Sequence, residues 1–282
     1  MVLEYVSAFL DGYQDLLKKA DPRLDSYPFT QSSLPNLLHC LFYLFVVTYA
    51  GPKFMKNRPA YDLKSLIVPY NWLLVALSTF LFVEFLAAGW GTNYSLLCQE
   101  CDYTESAQSM RMVRVCWWFW ISKHIEFLDT YFFIARKKFR QVSFLHVFHH
   151  TLMAYTWWWG IKYSAGGLGT FHALINSFVH MVMYAYYGLS AMGPEYRKYL
   201  WWKKYLTGFQ MTQFIAVFGH MANIILFYPD CVYPQAFKYI IASYGTIFFV
   251  LFANFWIKNY SKKLTGTVNG HAKSNGKIQK QE

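Results

Sequence analysis

Charged side chains are scarce: Asp, Glu, Lys and Arg make up 15% of the 282 residues, where a soluble domain carries about a quarter. That scarcity argues against a pair of water-soluble domains. Acidic residues are fewer still, 15 against 26 Lys and Arg, for a net charge of +11. The opening stretch "MVLEYVSAFLDGYQDLLKKADPRLDSYPF" lacks the basic start and apolar core of a cleavable signal. The first spanning segment is therefore expected to serve as its own insertion signal. No internal repeat is visible.

What remains is apolar: 55% of residues are hydrophobic and 21% aromatic. Runs of about 20 such residues recur, each long enough to cross a hydrocarbon core of ~30 Å. The expected fold is an all-α polytopic membrane protein with spans near 34–50, 66–90, 112–135, 143–161, 168–191, 205–227 and 236–257. Residues 1–33 precede this membrane domain of 34–257, and a basic, disordered tail of 258–282 follows it.

Charge alternates between the connections. Lys53, Lys56, Arg58 and Lys64 follow the first span, Arg136, Lys137, Lys138 and Arg140 the third, and Arg197, Lys198, Lys203 and Lys204 the fifth. The intervening connections hold only Arg111 and Lys162. This bias predicts a lumenal N-terminus with the basic loops and C-terminus in the cytosol. Of five cysteines, Cys98 and Cys231 both fall in lumenal loops, where a disulfide is permitted, and Cys101 competes for either partner. Cys40 and Cys116 lie within spans and read as small buried hydrophobes. "NYS" at Asn93 is a lumenal glycosylation sequon.

Ionisable groups inside spans cost about 2.5–3.5 kcal/mol each on insertion scales, so each is a candidate for function. The third span holds "SKHIEFLDT", with Lys123, Glu126 and Asp129 three apart and Thr130 beside them. The fourth opens with "FLHVFHH", placing His146, His149 and His150 within about one helical turn. In the fifth, Asn176 and His180 are four apart; in the sixth, Thr207, Gln210 and Gln213 form another stripe. At 1.5 Å rise per residue, His149, Glu126, Asp129, His180, Gln210 and Gln213 lie roughly 8–15 Å inside the cytosolic ends of their helices. Four helices thus bring polar groups to one level. The acidic–basic stripe also reads as a structural ion-pair network, and the Thr/Gln stripe as interhelical glue. His124, His172 and His220 read as satisfied core residues, while His39 and His271 carry no signal.

Three chemistries could use the histidines. A metal would suit residues at i, i+3 and i+4, with Glu126 or Asp129 adding oxygen, and membrane di-iron desaturases and hydroxylases use such boxes. They need several boxes, however, and the other six of nine histidines form no second one; no metal is expected. A seven-span lipid receptor or transporter has the same outline but no use for three imidazoles. The third reading is covalent catalysis. The spans offer no activated serine or cysteine, so imidazole is the best nucleophile available, able to take an acyl group from a thioester. Basic loops beside the site suit the phosphates of coenzyme A rather than nucleic acid.

These motifs resemble the ELO family of very-long-chain fatty acid elongases, the 3-oxoacyl-CoA synthases. "KHIEFLDT" is similar to the family's K-x-x-E-x-x-D-T and "HVFHH" to its histidine box. "NSFVHMVMYAYY" and "TGFQMTQ" match N-x-x-x-H-x-x-M-Y-x-Y-Y and T-x-x-Q-x-x-Q. The resemblance runs from about Asp21 to about Tyr260. Phe148, with "GGLGTFHALIN" after it, resembles the branch that handles saturated and monounsaturated chains. The resemblance implies seven transmembrane helices, six of them forming a barrel around an acyl tunnel, in the endoplasmic reticulum membrane. It implies condensation of a long-chain acyl-CoA with malonyl-CoA, without cofactor, to give 3-oxoacyl-CoA, CO2 and CoA.

Homodimers are also implied, as are contacts with membrane lipids and with 3-oxoacyl-CoA reductase, 3-hydroxyacyl-CoA dehydratase and enoyl-CoA reductase. His149 is expected to carry the acyl group, with His180 and Asn176 on the oxyanion or proton and with His146 and His150 orienting His149. By resemblance, Lys123, Arg136, Lys138, Gln141, Tyr186, Lys203, Thr207 and Gln210 line the CoA path. Glu126, Asp129 and Gln213 support the site, and Cys98 and Cys231 form the disulfide. Relatives often end in a di-lysine retrieval signal; here Lys280 stands at −3 but Lys277 at −6, which departs from it.

Overall fold

Inside hydrocarbon every backbone N–H and C=O must be bonded within the protein, which leaves apolar runs of this length the helix. The computed structural model describes residues 11–258, and among them there are helices and no strand. The expected tail from 259 onward, with His271 and the terminal lysines, lies outside the described residues.

The helices are α1 (Leu34–Met55), α2 (Lys64–Trp90), α3 (Ala107–Ile125), α4 (Phe127–Ala135), α5 (Phe144–Ser164), α6 (Thr170–Met192), α7 (Lys203–Phe227) and α8 (Gln235–Trp256). Four of these, α1, α2, α7 and α8, are long and apolar enough to cross a membrane. At 21 and 23 residues, α5 and α6 have the length, but they carry the histidines and Asn176, which lower their hydropathy. Ser106 and Ser143 set two helix starts: each side chain accepts the N–H three residues on, from Ser109 and His146.

The third expected span is broken. At Glu126 (φ −63°, ψ −14°) the ladder tightens from Glu126 N–H on Ser122 O to Asp129 N–H on Glu126 O at 3.2 Å, and α3 gives way to α4. The first expected span runs five residues further than its sequence suggested, because a wide π-type turn over Val46–Ala50 absorbs Pro52, whose nitrogen has no hydrogen to donate.

Helix contacts run α2 on α3, α3 on α5, α5 on α8, α8 on α7, α7 on α6, and α6 back along α2. α1 stands outside this order, packed on α5 and, at its end, on α4. Phe85, Phe119, Trp120 and Trp158 fill the interior of α2, α3 and α5, and Tyr70 and Leu74 meet Tyr184 between α2 and α6. Arg111 of α3 grips Glu84 of α2 with two hydrogen bonds of 2.8 Å, a fork-to-fork pair that sequence reading passed over. Cys40 and Cys116 are buried thiols within these cores.

One end of the bundle is basic, and the other is tied. There Cys98 and Cys231 form a disulfide, Cα atoms 5.7 Å apart, joining chain 133 residues distant. Cys101 stays a buried thiol; burial raises its pKa, which suppresses the thiolate needed for exchange. Gly167 passes beside it at φ +64°, where a Cβ would stand 2.9 Å from Cys101 N. Residues 21–30 fold over the same end. Buried Arg23 pairs with Asp21 at 2.5 Å, donates to Asp102 O at 2.6 Å and Thr104 O at 3.0 Å, and also reaches Ser109. Trp158 Nε1 donates to Phe29 O at 2.9 Å, and Lys162 Nζ binds Asp25 at 2.8 Å.

Two outcomes follow for this end. Cys98→Ser removes a reductant-sensitive gel shift that Cys101→Ser leaves intact, and lowers stability by up to about 5 kcal/mol on the chain-entropy account of so long a loop, read as a fall in the thermal midpoint. Arg23→Ala leaves Asp21 buried without its cation and costs about 3–5 kcal/mol, read the same way.

Candidate active site

The site starts with the cap of α5. Ser143 holds the His146 N–H, so His146 lies in the first turn and His149 and His150 in the second. The His146 and His150 rings are 4.3 Å apart, and those of His149 and His150 5.5 Å. His146 Nε2 lies 2.8 Å from Thr130 Oγ1 of α4, which in turn lies 2.8 Å from the Tyr43 hydroxyl of α1. A chain of three polar groups thereby fixes one edge of the His146 ring. His149 meets Phe248 of α8 edge-on at 4.8 Å, within a cluster that includes Met153 and Phe214. His150 is buried with Nδ1 unbonded.

A second group faces it. Lys123 Nζ donates to Glu126 Oε1 at 2.8 Å and to Asn176 Oδ1 at 3.0 Å. Asn176 Nδ2 donates to Gln213 Oε1 at 3.3 Å. His180 Nδ1 lies 3.2 Å from Glu126 Oε1 but is not aligned for a hydrogen bond, and Glu126 Oε2 is likewise buried and unbonded. All five residues are buried. His149 and His150 interact electrostatically with Glu126 and His180, so the two groups lie near one another. Unbonded buried polar atoms each cost about 1–3 kcal/mol, and three of them here mark a place built for a polar ligand or a proton in transit.

Not every expected residue joins. Asp129 stands apart from the Lys123–Glu126 pair and accepts from the Tyr184 hydroxyl at 2.7 Å. Thr207 is buried on α7, while Gln210 donates to Met183 Sδ at 3.1 Å. Arg136, Lys138, Gln141 and Lys203 are exposed at the basic end, and Tyr186 is buried there with its ring 5.0 Å from Trp202. Among the described residues no group of three or more His, Cys, Asp or Glu is arranged to hold a metal ion.

Several neighbours escaped sequence reading. Tyr43 and Phe248 sit in apolar runs where nothing but the Tyr43 hydroxyl separates a site residue from a packing one, while Tyr184 belongs to the motif "NSFVHMVMYAYY", which gave it no role of its own. His39, passed over as uninformative, stacks on His124 with their Nδ1 atoms 3.0 Å apart. His172 packs on Trp157 at 5.7 Å, and His220 Nε2 lies 3.0 Å from Leu96 O.

Comparison with known proteins supports what the motifs suggest. The profile of the ELO: GNS1/SUR4 family matches residues 28–267. The chain is 50% identical over 266 residues to very long chain fatty acid elongase 7 of Rattus norvegicus, covering 93% of this chain and 94% of that protein. It is 47% identical over 258 residues to very long chain fatty acid elongase 1 of Mus musculus, covering 91% and 92%. To very long chain fatty acid elongase 7 of Drosophila melanogaster it is 43% identical over 282 residues, covering 96% and 85%. Matched by the family profile over residues 28–267 and by relatives at 43–50% identity across nearly its whole length, the chain belongs to the ELO (GNS1/SUR4) family.

Proposed function

We propose that the chain is the condensing enzyme of very-long-chain fatty acid elongation, joining a long-chain acyl-CoA to malonyl-CoA with release of CO2 and CoA. The reading rests on one observation above the rest: an imidazole cluster set beside a buried lysine–carboxylate–amide network in a chain matched throughout to elongases. His149 attacks the acyl thioester carbon; the C–S bond breaks, and the imidazole proton leaves with CoA as its thiol. Malonyl-CoA then loses CO2, and the enolate left behind attacks the acyl-imidazole. The new C–C bond expels the imidazole, which regains a proton from solvent. Enolate and oxyanion both develop negative charge, which Lys123, Asn176 and His180 are placed to stabilise without reorganising. His146, pinned by Thr130, and His150 orient His149.

The closed order of helix contacts supports a barrel of α2, α3 with α4, α5, α6, α7 and α8, with α1 outside, for seven spans in all. Basic residues at the histidine end support a cytosolic site, with the disulfide end lumenal in the endoplasmic reticulum. Arg136, Lys138, Gln141, Tyr186, Lys203, Thr207 and Gln210 then form the CoA entry, Lys and Arg binding phosphates as charge-assisted donors. The reaction takes no metal or redox cofactor. A homodimer, with reductases and a dehydratase completing the cycle, is the expected setting.

Incubated with acyl-CoA alone, the purified protein is expected to release CoA and gain the acyl mass on intact mass spectrometry. His149→Ala loses both, together with CO2 release when malonyl-CoA is added. An adduct mapped to another residue, or none with the wild type, overturns the two-step route. Glu126→Gln separates structure from chemistry. It strands Lys123 in the interior, so a loss of about 3–5 kcal/mol appears as a lower thermal midpoint; an unchanged midpoint with lost turnover would assign the carboxylate to the reaction itself.

A further inference from the structure

At the basic end of α1, outside the order of the other helices, lies a cavity of about 470 Å³ that the condensation chemistry does not use. Lys53, Lys56 and Lys137 line it with Tyr49, Met55 and Phe139, and no carboxylate is among its lining residues. The walls of the recess are mostly apolar, and three lysines with no carboxylate among the lining residues suit an anion at its rim.

The recess is built by local backbone choices. The π-type turn over Val46–Ala50 re-aims the last turns of α1, a device frequent at functional sites. Gly51 then allows close approach to α4: a Cβ there would stand 2.8 Å from Val46 O and 3.0 Å from Ile134 Cγ2. From the other wall, Lys137 takes φ +55°, a region that non-glycine residues enter rarely. Its N–H binds Ile134 O at 2.9 Å, and its ammonium is turned to Lys56 O at 3.3 Å. Lys53 Nζ lies 3.0 Å from the Tyr49 hydroxyl and 5.1 Å above its ring. Lys53 thus meets a hydroxyl and a ring and Lys137 a carbonyl, all neutral, which leaves their charge for a ligand.

What sits below the recess indicates the ligand. Leu38, Phe42, Phe45 and Tyr49 recur at helical spacing and are all exposed, forming an apolar strip that ends at Lys53. A cationic recess at the head of an exposed apolar strip has the shape of one phospholipid. We propose that this recess binds the phosphate headgroup of an anionic phospholipid from the leaflet at the basic end, with its acyl chains along the α1 strip. The proposal rests on α1 crossing the bilayer and not on the condensation reading.

The test uses the full chain in phosphatidylcholine nanodiscs carrying a photoactivatable phosphatidylserine, with cross-links mapped by mass spectrometry. Phosphatidylserine is expected to label residues 49–56 and 137–139 far more than a phosphatidylcholine probe with the same photoreactive group. Near a membrane surface each lysine contributes about fivefold to anionic-lipid affinity. Lys53→Ala with Lys56→Ala and Lys137→Ala should therefore raise the half-saturating mole fraction on the order of 100-fold, while arginine at all three positions keeps it. An intact Cys98–Cys231 gel shift reports folding independently of enzyme activity. Equal labelling by both lipids overturns the proposal without recourse to any variant. Displacement of the probe by inorganic phosphate or free CoA reassigns the recess to a soluble phosphate and equally overturns it.

Discussion

A lysine and a carboxylate buried together between helices cost several kcal/mol each to strip of water, and their attraction offsets that only when neighbouring groups bond what is left over. The pair Lys123–Glu126, 2.8 Å apart, imposes this demand on the whole bundle. Asn176 reaches in from α6 to accept the lysine's second hydrogen bond, and Gln213 reaches in from α7 to accept from Asn176. Three helices are thus held in register by one ion pair. His180, one turn beyond Asn176, is carried to the carboxylate by the same register, and α5 brings its histidines to face it.

The break at Glu126 belongs to the same arrangement. Past it, Asp129 accepts from the Tyr184 hydroxyl, leaving each carboxylate a different donor. That separation keeps one acid for the lysine and the histidines while the other anchors α4 to α6.

The two ends of the bundle divide the remaining work. At one, a disulfide, a buried arginine and a folded-over N-terminal segment tie the helices together. At the other, lysines and arginines are exposed on the connections between helices. α1, outside the order of the other helices, carries its own lysine-rimmed recess at that end.

All-helical architecture, the level at which polar groups gather, the residues of the histidine box and the basic end were legible in the chain. Each follows from local rules: apolar length, helical spacing and charge between runs. Residues three or four apart on one helix can be paired by counting, and Lys123 with Glu126 is such a pair. Contacts between helices cannot be counted in this way. Thr130 on His146, Phe248 against His149, Glu84 on Arg111 and His39 on His124 join residues that one apolar run does not distinguish from the next. Their partners were chosen by which helix faces which, and that depends on packing in a medium where side-chain fit, rather than exclusion of water, selects neighbours. Composition and spacing alone settled that this chain would be helical, apolar and chemically equipped; only the tertiary structure decided which of Cys98, Cys101 and Cys231 join and where the third span breaks, because both depend on atoms far apart in sequence meeting within bonding distance.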